Sequence, residues 1–124
     1  MVEMVFVLPV LILLVFAIAK FGLMFNRWLT LSNAVHQGAR EGAYYRFPCN
    51  PVDVEQKAKD AVKRYVTAVG IDFAQLTLDV RGVCGGSGSP FIVDAALPFD
   101  LSIPYAPDSL NEITLRYSST MRNE

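Results

Sequence analysis

Hydrophobic positions form an unbroken run at the start of this 124-residue chain, before any periodic pattern begins. Residues 4–19, MVFVLPVLILLVFAIA, contain no charged or strongly polar side chain. Continued to Phe25, the run has 22 residues, and a helix of that length is about 33 Å long, which matches the hydrocarbon core of a bilayer. Lys20 could extend its ammonium group to the headgroup layer. The run therefore predicts a helix able to span a membrane.

Beyond residue 30 the apolar positions narrow to one helical stripe with polar residues opposite. The stripe consists of Leu31, Val35, Gly38, Gly42 and Tyr45. We predict one helix from about residue 2 to residue 46, ended by Pro48, whose second half is the spine of a folded domain. Gly38 and Gly42 are four positions apart and predict the close approach of another element.

The segment from residue 49 to residue 70 has the signals of a second helix. Asn50 can cap its N-terminus, Pro51 suits the first helical position, and Gly70 is a natural stop. Its predicted apolar stripe consists of Val54, Ala58, Ala61, Val62, Tyr65 and Val69.

Apolar and polar residues then alternate in three segments, near residues 76–81, 91–99 and 113–121. This period of two predicts three strands with one apolar face. GGSGSP at residues 85–90 is interpreted as a solvated hairpin connection. The predicted fold class is α+β: a long hydrophobic N-terminal helix (residues 1–47) and a small head (residues 48–124) of one helix on a roughly three-stranded antiparallel sheet. Pro98 favours an edge or bulge, whereas sequential pairing would put its strand in the centre, and the pattern leaves this conflict open.

Charge and cysteine content narrow the function classes. The chain is 52% hydrophobic with a mean hydropathy of +0.33 and a net charge of −1, so no nucleic-acid partner is expected. After residue 47 acids outnumber bases ten to seven, which favours a soluble head. Cys49 and Cys84 predict a disulfide and an oxidising compartment, with two buried free thiols as the alternative.

We find no catalytic constellation, so no enzyme activity and no cofactor are expected. His36 is the single histidine, so it and the two cysteines supply only three of the four ligands of a structural zinc site. GGSGSP lacks the lysine and hydroxyl ending of a phosphate-binding loop. Asp94 and Asp100 are expected to lie on an outward strand face and to make it polar toward solvent, with a weak calcium site as the alternative.

Glu3 stands at the mouth of the apolar run, and three interpretations of the first helix compete. A cleaved signal peptide would explain AIA at residues 17–19 but not an acid in place of basic residues before the run. A simple membrane anchor has no use for Glu3. A helix that packs among copies of itself can use Glu3, because its carboxylate could pair with the Met1 α-amino group of its own chain or of a staggered neighbour. Only the correct register would leave Glu3 paired. A place in the headgroup layer is the alternative for Glu3.

Pro9 interrupts the backbone hydrogen bonding of the same helix. It has no N–H to donate and crowds the Val5 carbonyl. We expect a kink or a loosened turn near residues 5–9, either functional or a harmless membrane kink.

The N-terminal pattern resembles the TadE/TadG-type pseudopilins of the tight-adherence branch of type IV pili. The shared elements, in order, are Val2 with Glu3, Leu8 with Pro9, Phe21 with Gly22, and the small-residue helix at residues 33–43. TMRNE at the C-terminus is similar to the closing strand of such proteins. The resemblance covers about the first 45 residues.

The resemblance implies a prepilin that lies in the inner membrane of a prokaryote before assembly. A prepilin peptidase would cut its leader, and ATP-driven pilus assembly machinery would move it into an extracellular filament of identical subunits. Glu3 would pair with a neighbour's N-terminal amine. Type IV pilins usually have this acid at the fifth mature position, whereas here it is third, which leaves open whether Met1 supplies that amine.

We interpret the chain as the structural subunit of such a filament. The alternatives are a minor pseudopilin that primes or caps assembly, and a bitopic membrane-anchored protein whose head binds a ligand.

Overall fold

The computed structural model describes residues 2–44, 48–102 and 111–123. Helix α1 (Val2–Ala43) is followed by α2 (Pro51–Ala68) and by a short 3-10 helix at Phe73–Gln75. Strands β1 (Thr77–Arg81), β2 (Pro90–Asp100) and β3 (Glu112–Arg122) form an antiparallel sheet in the order β1-β2-β3. The predicted α+β class is confirmed. The predicted end of the first helix and the division at residue 47 lie outside the described residues.

The start of α2 is determined by local chemistry. The Asn50 side chain accepts a hydrogen bond from the Val52 N–H at 3.3 Å, and Pro51 occupies the first turn, where its missing N–H has no cost. Asn50 Nδ2 also donates to Asp53 at 3.1 Å. The first of these contacts satisfies a backbone N–H that the first helical turn would otherwise leave without a partner.

The apolar stripe of α2 differs from the prediction at its C-terminal end. Ala58, Ala61, Val62 and Val66 are the buried residues of α2. Tyr65 is 40% exposed and Val69 is 51% exposed, so their predicted place in the core is wrong. Val69 lies just past the last helical residue, with φ −101° and ψ 6°, and helical periodicity therefore no longer positions it.

The core of the head lies between the sheet and the second half of α1. Residues of α1 from Leu31 onward pack against α2, β2 and β3. The inner face of β2 consists of Phe91, Val93, Ala95, Leu97 and Phe99, and all five are buried as their alternation predicts. One continuous helix thus supplies both an N-terminal rod and part of the core of the head.

The position of Pro98 in a central strand is explained by the shortness of β1. β3 pairs with β2 along its whole length, including Pro98 opposite Thr114. β1 pairs only from Arg81 opposite Ile92 to Thr77 opposite Ala96. At Pro98 the β1 side of the strand is therefore an edge among the described strands, where proline is tolerated.

Two glycines of α1 lie where the helix meets the other elements most closely. A Cβ atom on Gly38 would meet the Val62 side chain and lie 3.1 Å from the Ala58 carbonyl oxygen. A Cβ atom on Gly42 would meet the ring of Phe91, which is completely buried. Larger residues at these positions would push α1 away from α2 and from β2.

We expect Gly42→Ala to lower the melting temperature of the full chain in detergent, measured by circular dichroism. Overpacking against Phe91 costs about 1–3 kcal/mol, and this outweighs the gain of at most about 1 kcal/mol in helix propensity. Gly22→Ala is the matched control, because a Cβ atom there would have no neighbour within 4 Å. Equal melting temperatures for the two variants would contradict the close approach.

A disulfide joins Cys49, before α2, to Cys84, in the connection between β1 and β2. The predicted cysteine pair is therefore bonded. The loop around Cys84 is held in turn by Asn123, which is only 5% exposed. Asn123 Nδ2 lies 3.3 Å from the Gly85 carbonyl oxygen and 3.0 Å from Ser89 Oγ. The end of β3, the connecting loop and the start of α2 are thus linked in one network.

Replacing Asn123 by alanine should destabilise the head by about 1–3 kcal/mol, because the half-buried Gly85 carbonyl group and Ser89 hydroxyl group each lose a hydrogen bond. The measurement is thermal unfolding of the full chain in detergent. Asn33→Ala, at an exposed position of α1, is the control and should unfold like the wild type. If the two variants unfold at the same temperature, the network around Asn123 does not contribute to stability.

Candidate functional site: an exposed apolar stem

The most unusual surface of the protein is the first part of α1, residues 4–29, which we call the stem. Every residue in it is exposed or half-buried. Most of its large hydrophobic side chains are exposed, from 42% at Leu29 to 75% at Phe6, and they point in all directions around the helix, whereas Met24 and Trp28 are half-buried. Soluble monomers rarely expose apolar patches of this size. The stem therefore requires an apolar environment, either lipid or other helices.

The stem meets the length and composition requirements of a membrane span. Among the described residues one helix qualifies, at Met4–Ala43, with a mean hydropathy of 2.7 in its most apolar window and none of that window buried in the protein. A core helix of a soluble protein would be mostly buried instead. Lys20 is half-buried and is the only charged residue between residues 4 and 26.

The stem and the head meet at an aromatic cluster that the sequence analysis did not identify. Trp28 stacks on Phe25 with ring centroids 6.1 Å apart and meets Tyr117 of β3 edge-on, also at 6.1 Å. The Arg27 guanidinium lies 5.1 Å from the centre of the Phe99 ring. Tryptophan and arginine directly after an apolar run are typical of a membrane–water interface, and this signal was present in the sequence.

The predicted site residues of the stem lie at its far end from the head. α1 continues through Pro9 as one helix, and a bend of its axis there stays a prediction. The predicted register pair concerns Met1 and the Glu3 side chain, which lie outside the described residues, so it also stays a prediction. Gly38 and Gly42 belong to the other half of α1 and pack inside the head.

The polar candidates of the head have protein partners. Asp94 forms a salt bridge with Arg81, which also contacts Asp79 at 3.3 Å. Asp100 Oδ1 accepts the Ser102 N–H at 2.8 Å, and His36 Nδ1 lies 3.3 Å from Ser119 Oγ. Within the described ranges these groups form no cluster of three possible metal ligands. The expectation of no enzyme activity stays a prediction.

Comparison with known proteins identifies the N-terminal part of the chain. The family model of TadE-like proteins matches residues 1–40. Searches among curated proteins and among solved structures returned no significant match. The matched segment contains the whole stem and the first part of α1 that enters the head core. Residues 1–40 of the 124 are therefore similar to TadE-like proteins, and they form most of the long first helix of an α+β fold.

Proposed function

We propose that the protein is a structural subunit of a Tad-type filament related to type IV pili, in which the stems of identical subunits pack together. The observation that carries this proposal is the first part of the stem, residues 4–19, which has no charged or strongly polar side chain and is exposed over about four helical turns. A simple membrane anchor would have the same apolar surface, but that surface would contact only lipid. The TadE-like match over this segment adds a relation to pilus proteins.

Assembly exchanges one apolar environment for another. In the membrane the stem contacts lipid tails, and in the filament it contacts other stems. Because lipid is as apolar as leucine, helix association there depends on close packing and on polar contacts. Glu3 supplies the polar contact: it pairs with a neighbour's N-terminal amine in the correct stagger and stays unpaired in any other.

The heads then form the outer surface of the filament. The head carries most of the charged residues of the chain, and the disulfide fits an extracellular position. We further propose that the precursor lies in the inner membrane, that a prepilin peptidase processes it, and that pilus assembly machinery extracts it. The TadE-like match and the candidate membrane span support this route.

Electron microscopy of the full chain, expressed together with its assembly machinery, tests the proposal. We expect long fibres that an antibody against the head decorates along their length. Label at fibre ends alone would indicate a minor pseudopilin, and monodisperse particles in detergent without fibres would indicate a bitopic membrane protein. Either of these results would refute the structural-subunit role.

A matched pair of variants tests whether stem packing drives assembly. Leu14→Gln places an amide in the middle of the stem, and we expect it to reduce fibre yield strongly because that amide has no hydrogen-bond partner there. Val52→Gln makes the same kind of change at an exposed apolar position of α2 and should assemble normally. Equal yields from the two variants would contradict stem packing.

A further inference from the structure

One face of the stem carries a stripe of two cations and lies beneath the end of β2. Lys20, Met24 and Arg27 follow one another at spacings of four and three, so they share a helical face. Lys20 and Met24 are half-buried, in contrast to most of the stem. The contact of Arg27 with the Phe99 ring places the last residues of β2 over this face. We call residues 99–102 the β2 tip.

Below the β2 tip the stem face forms an apolar groove with a volume of about 510 Å³. Side chains such as Leu13, Phe16 and Phe21 line it, together with Leu101 of the β2 tip. Lys20 is the one charged residue among the described residues that line it. An apolar groove on a membrane span that ends at a lysine suits an acyl chain whose anionic end lies beside the ammonium group.

Above the β2 tip a second cavity, of about 770 Å³, has a polar lining. It shares Ser102 with the groove and includes Arg27, Asp100 and Glu112. Asp100 and Glu112 are directly opposite each other in the β2–β3 register. Like charges in that position repel. In the described parts of the chain neither forms a salt bridge, and the Arg27 guanidinium lies over the Phe99 ring, so a further cation between the two acids would offset the repulsion.

The charges therefore follow an order along the axis of the stem. Lys20 is deepest, Arg27 lies about 10 Å higher along the helix, and Asp100 with Glu112 lines the outer cavity beside Arg27. We propose that this junction binds one phosphatidylethanolamine molecule from the leaflet on the head side. An acyl chain occupies the groove, Lys20 and Arg27 contact the phosphate, and the two carboxylates accept hydrogen bonds from the ammonium group.

Charge complementarity favours this lipid over a second copy of the chain. Residues 4–29 contain no carboxylate and Glu3 is proposed to pair with a neighbour's N-terminal amine, so the stem of a neighbour would leave Lys20 without an anion. A phosphatidylglycerol headgroup would supply the phosphate but no cation for Asp100 and Glu112. A phosphatidylcholine headgroup has a cation that cannot donate hydrogen bonds to them. The inference rests on membrane insertion of the stem and not on filament formation.

Native mass spectrometry of the full chain in detergent tests the site without any assembly machinery. The protein is titrated separately with dioleoyl phosphatidylethanolamine, phosphatidylglycerol and phosphatidylcholine. We expect one retained phosphatidylethanolamine per chain, bound about tenfold more tightly than the other two lipids, as expected for lost charge-assisted hydrogen bonds. Equal retention of the three lipids, a preference for phosphatidylglycerol, or no retained lipid would each overturn the proposal.

Two double variants separate the halves of the site. Lys20→Gln with Arg27→Gln should weaken the retention of every lipid, whereas Asp100→Asn with Glu112→Gln should remove only the preference for phosphatidylethanolamine. The control replaces two exposed cations of α2, Lys57→Gln with Arg64→Gln, and should bind like the wild type. If both site variants retain the lipid preference of the wild type, the adduct is nonspecific boundary lipid and the site does not exist.

Discussion

Replacing Glu3 by glutamine is expected to abolish fibres, or to reduce their yield by at least about tenfold, while the head stays folded. The glutamine side chain keeps the size of glutamate but loses its charge. The N-terminal amine that Glu3 is proposed to pair with then remains charged in an apolar bundle, and breaking a buried pair in this way costs about 3–5 kcal/mol. The correct stagger also loses its advantage over the wrong ones, so both the stability and the register of the filament suffer.

Fibre yield in this variant is measured by electron microscopy of sheared surface material, and folding of the head by thermal unfolding of the subunit in detergent. Glu41→Gln is the matched control, since Glu41 lies on the same helix at an exposed position beyond the stem. The control should produce normal fibres. Normal fibres from Glu3→Gln as well would remove the register role and would favour the headgroup layer as the place of this acid.

The elements that could be predicted from sequence are those whose cause is local. Asn50 and Pro51 define the start of α2 because a cap and a missing N–H act within one turn. The buried face of β2 follows from strict alternation over residues 91–99. Val69 was misplaced because periodicity carries no information about where the helix ends.

The features that sequence could not supply depend on how elements lie relative to each other. Two sequence signals disagreed at Pro98: proline favours an edge, whereas sequential pairing put its strand in the centre. The short length of β1 resolves this, because one side of β2 is an edge at Pro98. Asn123 reaches the loop at residues 82–89 only because β3 ends beside it. The stem was predicted because its apolar surface is continuous around the helix and needs no knowledge of the sheet. The contact of the β2 tip with the face of Lys20 and Arg27 depends on that sheet and was missed.

Removal of the disulfide is expected to have the largest effect on the stability of the head. The bond closes a loop of 35 residues that contains all of α2. The chain-entropy model gives about 4 kcal/mol for a loop of that length, which is a large part of the net stability of a small domain, about 5–15 kcal/mol. The double variant Cys49→Ser with Cys84→Ser should therefore unfold at a temperature lower by roughly 15–30 °C.

Thermal unfolding of the full chain in detergent, with and without dithiothreitol, measures this effect. Reduced wild-type protein should unfold near the temperature of the double variant, and dithiothreitol should leave the double variant unchanged. This comparison separates loss of the bond from the effect of placing two hydroxyl groups in the structure. If the double variant unfolds at the same temperature as the oxidised wild type, the loop from residue 49 to residue 84 is already ordered in the unfolded chain or held by other contacts. Packing of α2 against α1, and not the covalent bond, would then be what holds α2 on the head.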